Sequence, residues 1–353
     1  MKWNHGGDWA AFQRECGFLP LDFSANISPL ALAPEIREAA AAALSASDRY
    51  PDPHCTELRE ALSMHFGVSP EQVVCGNGAA DLIYRLVFLL KPQKALVPVP
   101  TFTEYEHALS LAECQTEHVS CREEQDFALP EAVTEAIVPG TDLVFLCNPN
   151  NPTGRLIPPA LMEKIVQKCE DVGCVLVVDE CFLDFSRDCE AHSLIGRLSQ
   201  CRQLVVLRAF TKMYAMPGLR LGVALCGSED LAKSLAGFGQ PWPVSVPAQA
   251  AGLAALKLTA LEDRTRFLIA QERAFLQEEL AALELRVIPG EANVLLFFSE
   301  EKQLLQKCRE KGILIRDCSD FTGLCPGWYR TAVRTRKENL LLLQVLKEVL
   351  HGS

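Results

Sequence analysis

The first two thirds of the sequence alternate between short apolar runs and amphipathic stretches. The runs "QVVCG", "KALVPVP" and "DLVFLCNP" are each followed by a helix-like segment, the last of them by "IPPALMEKIVQKCEDVG". Three further apolar runs follow along the chain, "CVLVVDE", "QLVVLRAF" and "LRLGVALC". Strands without polar alternation are buried on both faces, so this pattern predicts an α/β fold with a mostly parallel sheet between layers of helices.

The final third of the sequence has a different pattern. It predicts one long helical stretch at about 248–282, then strands in "RVIPGEANVLLFF", "GILIRDC" and "YRTAVRT", and a closing amphipathic helix in "KENLLLLQVLKEVL". We expect a smaller α+β domain here, with the N-terminal helix "APEIREAAAAALSA" packed against it. The predicted division is a large domain at residues 46–240 and a small domain formed by residues 1–45 and 241–353.

Charge and hydropathy exclude several classes of partner. The chain has 353 residues and a formal net charge of −11, without a basic block, which argues against nucleic acid and anionic membrane surfaces as partners. The nearest approach to a membrane helix is "LIYRLVFLL", which is far shorter than the ~20 residues required and contains Arg85. Since "MKWNHGGDWA" lacks the apolar core of a secretory signal, we expect a cytoplasmic protein.

The chain is rich in cysteine. It contains 15 cysteines, none of them in C-x-x-C spacing, and several lie in apolar runs. This pattern favours buried free thiols in a reducing compartment and predicts no metal site.

One lysine has a setting that could make it reactive. In "VLRAFTKMYAMPGLRLG", Lys212 ends an apolar run, and Arg220 follows eight positions later. A lysine at a strand end is usually a solvated flank. If it is desolvated, however, it loses its proton more readily and can attack a carbonyl to form a Schiff base.

Three other stretches could serve a phosphorylated, cationic ring. Asp179 ends the apolar run "VLVVD", where it could pair with a pyridinium nitrogen or simply cap a turn. The turn "CGNG" at Gly76–Gly78 opens a helix and could bind a phosphate, although it matches no dinucleotide or NTP motif. In "CNPNNPTGRL", Asn151 could offer its amide to a ring hydroxyl, or the segment could be a stiff structural turn.

These four features in this order, with Asp179 33 residues before Lys212, resemble the fold-type I pyridoxal-phosphate enzymes of the class I/II aminotransferase group. The resemblance extends over nearly the whole chain. It implies pyridoxal 5'-phosphate as the cofactor, and a large domain with a mostly parallel sheet sandwiched by helices beside a smaller α+β domain.

The resemblance also implies roles for particular residues. Lys212 would bond covalently to the cofactor, Asp179 would contact the ring nitrogen, and Asn151 the ring hydroxyl. Further cofactor contacts would come from the backbone of Gly78 and Ala79, the ring of Phe102, the hydroxyl of Thr211, the guanidinium of Arg220, and Tyr50 of a neighbouring subunit. The last of these implies a homodimer.

Two positions depart from the pattern of the group. Position 182 is Phe where many relatives have a Tyr that contacts the ring hydroxyl, so that contact would come from Asn151 alone. Position 209 is Ala where a Ser or Thr often supports the phosphate, which leaves more of that role to Thr211 and Arg220.

The N-terminal segment distinguishes subgroups. "HGGDW" and "LDFSANISPLA" are similar to the threonine-phosphate decarboxylases of cobalamin synthesis, whereas histidinol-phosphate aminotransferases usually have an N-E-N-P segment instead. This similarity implies decarboxylation of an O-phospho amino acid, L-threonine O-3-phosphate to (R)-1-aminopropan-2-yl phosphate or the serine analogue. The alternative is a histidinol-phosphate or related aminotransferase, which uses the same cofactor residues.

Such a substrate carries a carboxylate and a phosphate, and arginine binds both through paired donors. Arg316 and Arg330 are the candidates, with Arg334 in reserve, although each could be a surface arginine. His5, Gly6, Asn26 and Asn151 would complete the substrate site.

Overall fold

The computed structural model describes residues 5–352. Its N-terminal part contains helices and one short strand: α1 (Trp9–Cys16), β1 (Leu21–Asp22), α2 (Pro34–Ala43) and α3 (Thr56–Phe66). Strand β1 pairs in parallel with Ile313–Leu314 near the other end of the chain, which joins the N-terminal segment to the C-terminal part. The predicted domain boundaries stay a prediction.

A seven-stranded sheet and its helices form the central part of the molecule. In chain order these elements are β2 (Val73–Gly76), α4 (Ala79–Leu90), β3 (Lys94–Val99), α5 (Glu104–Leu111), β4 (Gln115–Ser120), α6 (Val133–Ala136), β5 (Leu143–Cys147), α7 (Pro159–Val172), β6 (Val175–Asp179), α8 (Cys189–His192), β7 (Leu204–Ala209), α9 (Phe210–Met213), β8 (Gly222–Cys226) and α10 (Glu229–Gly237). The strand order is β2-β8-β7-β6-β5-β3-β4. Strands β4, β3, β5, β6 and β7 run parallel, while β8 is antiparallel to both β7 and β2.

The remaining elements follow the central sheet. They are α11 (Val246–Ala255), α12 (Thr259–Ala282), β9 (Arg286–Ile288), β10 (Val294–Phe298), α13 (Leu304–Glu310), β11 (Ile313–Leu314), β12 (Arg316–Asp317), β13 (Trp328–Ala332) and α14 (Arg336–His351). Strands β12-β13-β10-β9 form a four-stranded antiparallel sheet.

Helices cover both faces of the central sheet, because its strands carry apolar side chains on both sides. Along β6, Leu176 and Val178 pack into one buried cluster with Ile165 of α7, whereas Val177 packs into a second cluster with Leu82 of α4. Side chains of a strand alternate between faces, so one continuous apolar run supplies two cores. The predicted α/β fold with a mostly parallel sheet is confirmed.

Several element boundaries differ from the sequence-based expectation. The long helical stretch is broken between Ala255 and Thr259. "RVIPGEANVLLFF" forms the two strands β9 and β10, because Pro289 and Gly290 turn the chain between them. A Cβ on Gly290 would lie 3.0 Å from the Cα of Gly154, so the turn packs directly on the "NPTG" backbone.

Two more differences concern strands. "GILIRDC" is divided between β11 and β12, which belong to different sheets. Strand β4 was not predicted, because it is a polar edge strand in which only Val119 is buried.

All fifteen cysteines are free thiols, and eleven of them are buried. Among residues 5–352, no helix has the combined length and apolar character that crossing a membrane requires.

Candidate active site

A cavity of about 710 Å³ lies at the carboxyl ends of the parallel strands. The last residues of β5, β6 and β7, which are Cys147, Asp179 and Ala209, all line it. This edge of a parallel sheet is where α/β proteins usually bind their ligands. The cavity brings together most of the residues singled out in the sequence: His5, Gly6, Asn26, Ala79, Phe102, Asn151, Asp179, Thr211, Lys212, Arg220, Arg316 and Arg330.

Lys212 reaches the cavity from α9, directly after β7. Its Nζ lies 5.6 Å from the centroid of the Phe182 ring, and its carbonyl accepts a 2.9 Å hydrogen bond from the amide of Ser28. Burial lowers the pKa of Lys212, and the nearby charges of Arg330 and Arg220 act in the same direction. A lysine in this setting has more of the neutral amine that a nucleophile requires.

Asp179 is held by two donors at the end of β6. The hydroxyl of Tyr105 donates to Oδ2 at 2.7 Å, and the amide of Cys181 donates to Oδ1 at 2.9 Å. Burial first, and then the charge of Asp179, raise the pKa of Tyr105, so its hydroxyl stays a donor.

Tyr105 was not among the site residues predicted from the sequence. The sequence did offer one signal, because Tyr105 follows Phe102 by three residues in "TFTEY", a spacing at which side chains are neighbours where the chain is helical. Tyr105 stacks on Phe145 at a centroid distance of 4.8 Å and meets Phe102 edge to face at 5.6 Å. The same ring therefore connects the cavity wall at Phe102 to the carboxylate of Asp179.

The turn before α4 is shaped for a small anion. Gly78 precedes the helix with φ of +82°, and a Cβ on it would lie 2.4 Å from Nη2 of Arg220. Arg220 also donates to the carbonyl of Asn77 at 3.4 Å, and the buried Thr211 lines the cavity nearby. A helix N-terminus, a guanidinium and a hydroxyl in one place can hold a phosphate.

Arg330 is a buried cation in the lining of the same cavity. It extends from β13, is only 6% exposed, and donates to Oδ1 of Asn151 and, at 2.9 Å, to the carbonyl of Ser24. With the amide oxygen of Asn26 turned toward it, Nε of Arg330 donates to that oxygen at 3.2 Å. Among the described residues, no carboxylate forms an ion pair with Arg330, and burial lowers its pKa to about 10.

The other two candidate arginines are placed differently. Arg316 lines the cavity, and its Nη2 donates to both carboxylate oxygens of Asp320, at 2.9 and 2.7 Å. Arg334 does not line the cavity. It pairs with Glu338 at 2.6 Å and donates to the carbonyl of Asp22, so its guanidinium is bound by protein groups outside the cavity lining, and its reserve role stays a prediction.

Two predicted residues remain outside the cavity lining of their own chain. Gly78 lies just behind it, in contact with Arg220. Tyr50 is 77% exposed and stacks on Trp242, with ring centroids 4.1 Å apart. A contact between Tyr50 and a cofactor would therefore have to be made with another subunit's site, as the resemblance implies.

The cavity has the groups that pyridoxal phosphate needs. It offers an amine of lowered pKa at Lys212, a carboxylate at Asp179 for a ring nitrogen, and a space between Gly78 and Arg220 that can bind an anion. The glycine at position 78 supports this fit, since a Cβ there would fill the space beside Nη2 of Arg220.

Comparison with known proteins agrees with this chemistry. Residues 20–346 match the family "Aminotransferase class I and II". The chain is 37% identical to the threonine-phosphate decarboxylase of Salmonella typhimurium, over 99% of this chain and 97% of that protein. It is 33% identical to a histidinol-phosphate aminotransferase of Methanosarcina mazei, over 90% of this chain and 85% of that protein.

A solved structure has the same fold. The histidinol-phosphate aminotransferase of Clostridium acetobutylicum superposes with a TM-score of 0.87 at 26% identity, covering 94% of this chain and 99% of that one. Because the family match spans most of the sequence and a relative matches it at full length, the chain belongs to the class I and II aminotransferase family, whose enzymes depend on pyridoxal phosphate.

Proposed function

We propose that this enzyme decarboxylates an O-phospho amino acid, L-threonine O-3-phosphate or its serine analogue. One observation carries the proposal: Arg330, a buried cation without a carboxylate partner among the described residues, shares a cavity with Lys212. A substrate that carries two anions would supply the missing charge. The threonine-phosphate decarboxylase of Salmonella typhimurium, similar over nearly its full length, supports this choice of substrate class.

The proposed roles follow from the position of each side chain. On the cofactor side, Gly78, Ala79, Thr211 and Arg220 would hold the phosphate, Phe102 would cover the ring, and Asn151 and Asp179 would contact its hydroxyl and nitrogen. On the substrate side, His5, Gly6, Asn26, Arg316 and Arg330 would bind the two anions. The place in cobalamin synthesis and the cytoplasmic location stay predictions.

Pyridoxal phosphate would supply an electron-accepting ring when bound, and the carboxylate of Asp179 would be available to its nitrogen. The residues around the substrate would decide which of its bonds breaks, because they would fix the orientation of its carboxylate. We expect Arg330 and Arg316 to bind and orient that carboxylate. Lys212, with its lowered pKa, can then move a proton at Nζ.

The second candidate function is that of a histidinol-phosphate aminotransferase. Relatives with that activity match most of the chain, and Lys212, Asp179 and Arg220 would serve either reaction. The two functions differ in the bond that is oriented for cleavage, and therefore in the contacts on the substrate side.

We also propose a homodimer in which Tyr50 reaches the phosphate of the partner's cofactor. The support is its exposure, 77%, together with its stacking on Trp242, which fixes an aromatic side chain on the outer surface. A two-fold dimer would place each Tyr50 at the other subunit's cavity.

The direct test uses the purified protein loaded with pyridoxal phosphate. It is incubated separately with O-phosphothreonine and O-phosphoserine, and CO₂ and the phosphorylated amino alcohol are measured. We expect one mole of each product per mole of substrate consumed. If neither substrate yields CO₂ while the loaded protein is yellow and folded, the proposed function is wrong.

A further inference from the structure

We infer that Glu104 is a positioning residue that acts through His5, and that Tyr84 holds Glu104 in place. The inference rests on the proposed function, since it concerns how the substrate side of the same cavity is built. His5 and Glu104 both line the cavity, and the His5 ring centroid lies 6.3 Å from that of Phe102. Tyr84 lies behind them on α4.

A chain of hydrogen bonds connects the three side chains. Nε2 of His5 lies 2.8 Å from Oε1 of Glu104, and the hydroxyl of Tyr84 donates to Oε2 of Glu104 at 2.5 Å. The Tyr84 oxygen also lies 3.1 Å from Nδ1 of His107. Both oxygens of the carboxylate are therefore used, which fixes its plane.

The protonation states of Glu104 and Tyr84 determine which group donates in each hydrogen bond. The hydrogen bond from His5 lowers the pKa of Glu104, and the bond from Tyr84 acts in the same direction. Burial and the neighbouring carboxylate raise the pKa of Tyr84 above its usual range. Glu104 is thus an ionised acceptor and Tyr84 a protonated donor, so Nε2 of His5 must carry the hydrogen that faces Glu104.

The two glycines that follow His5 are held by Ser24. The amide of Gly7 donates to Oγ of Ser24 at 2.8 Å, and a Cβ on Gly6 would lie 2.1 Å from the carbonyl oxygen of Ser24. That same carbonyl accepts the 2.9 Å bond from Arg330. The segment His5–Gly7 therefore connects Ser24, the partner of Arg330, to Glu104.

This arrangement predicts a separable role for Glu104. Ser24 fixes the Gly6–Gly7 end of the segment, while Glu104 orients the imidazole at the other end. Without Glu104, the amide of Gly7 remains hydrogen-bonded to Ser24, but the imidazole ring of His5 is no longer held in one orientation. A phosphate group, which needs donors at defined positions, should then bind more weakly, whereas the cofactor residues should be unaffected.

The chain offers a matched control. Glu106, on the same helix, lies 2.8 Å from Nε2 of His118 and does not line the cavity. Glu104→Gln and Glu106→Gln therefore make the same change of charge in the same type of pair. Tyr84→Phe is a milder second variant, which removes only the hydroxyl that holds Glu104.

The experiment uses the enzyme loaded with pyridoxal phosphate and has two measurements. The first is KM and kcat for O-phosphothreonine, and the second is the Kd of inorganic phosphate from calorimetry. For Glu104→Gln we expect about a tenfold or greater rise in KM and in the Kd of phosphate, with little change in kcat or cofactor absorbance. Tyr84→Phe should give a smaller rise, and Glu106→Gln none.

A double-mutant cycle with His5→Ala tests whether Glu104 acts through His5. If it does, Glu104→Gln should add little to the effect of His5→Ala, whereas independent roles would give additive free energies. Additive effects, or phosphate bound equally or more tightly by Glu104→Gln than by wild type, would overturn the inference. If wild type releases no CO₂ but the phosphate measurements behave as expected, the proposed function fails and the inference stands.

Discussion

The two sides of the cavity are built in different ways. The cofactor side, which includes Gly78, Asp179, Lys212 and Arg220, comes from residues at or next to the ends of strands of one sheet. The substrate side, which consists of His5, Gly6, Asn26, Arg316 and Arg330, comes from both ends of the chain. The bond from Arg330 to Ser24, for example, joins residues 306 positions apart.

The two sides should therefore respond differently to mutation. Parallel register places Asp179 of β6 beside Leu207 of β7, so the sheet itself fixes the spacing between Asp179 and the start of α9. The substrate side depends instead on contacts between β13, the loop after β1 and the N-terminal segment. Changes on the cofactor side should abolish the chemistry, and changes on the substrate side should weaken binding while the cofactor remains.

The largest expected effect is on the cofactor side. Lys212→Ala should lower CO₂ release by at least about 10³-fold, because it removes the nucleophile and the group that moves the proton. Borohydride should fix the cofactor covalently to wild type but not to this variant. Lys347→Ala, an exposed lysine on α14, serves as the control. Covalent fixation that persists without Lys212 would show that another residue holds the cofactor.

The next effect belongs to the substrate side. Truncating a buried cation that contacts a substrate anion costs roughly 2–5 kcal/mol. Arg330→Ala should therefore lower kcat/KM by about 30-fold to several thousand-fold, while the visible absorbance of the bound cofactor is unchanged. Arg286→Ala on β9 is the control within the same sheet. Loss of the cofactor from the Arg330 variant would mean that the two sides are not separable.

Tyr105→Phe should give an intermediate effect on the cofactor side. The change keeps the stacking on Phe145 but removes the 2.7 Å hydrogen bond to Asp179. A hydrogen bond to a charged group contributes about 1.5–3 kcal/mol, so the Kd of pyridoxal phosphate should rise roughly tenfold or more. Equilibrium dialysis measures it, and an unchanged Kd would remove Tyr105 from the cofactor side.

The smallest effect is expected at the proposed subunit contact. Tyr50→Phe removes one hydroxyl and should weaken cofactor retention by roughly two- to tenfold. Analytical ultracentrifugation gives the oligomeric state of the same samples. Full activity from a monomeric species would contradict the proposed dimer.

The same contrast explains what the sequence could predict. Lys212, Asp179 and Gly78 follow apolar runs directly, so the pattern of strands already places them at one sheet edge. Arg330 could be named only through the resemblance, since nothing local in "WYRTAVRT" distinguishes it from Arg334, which lies outside the cavity.

The contacts of Tyr105 and Glu104 could not be predicted from the sequence pattern. Both belong to "TFTEYEHALS", which predicts a helix but not its neighbours in space. The partners of Tyr105 and Glu104 are Asp179 and His5, which are 74 and 99 positions away in the chain. Such contacts depend on tertiary packing, which no window of the sequence contains.

The central claim is that the substrate side directs the loss of CO₂ instead of amino transfer. The most direct measurement offers the loaded enzyme O-phosphothreonine and histidinol phosphate together with 2-oxoglutarate, and follows CO₂ and glutamate in one sample. The account predicts repeated release of CO₂ from O-phosphothreonine, with negligible glutamate. Stoichiometric formation of glutamate from histidinol phosphate, with no CO₂, would contradict it.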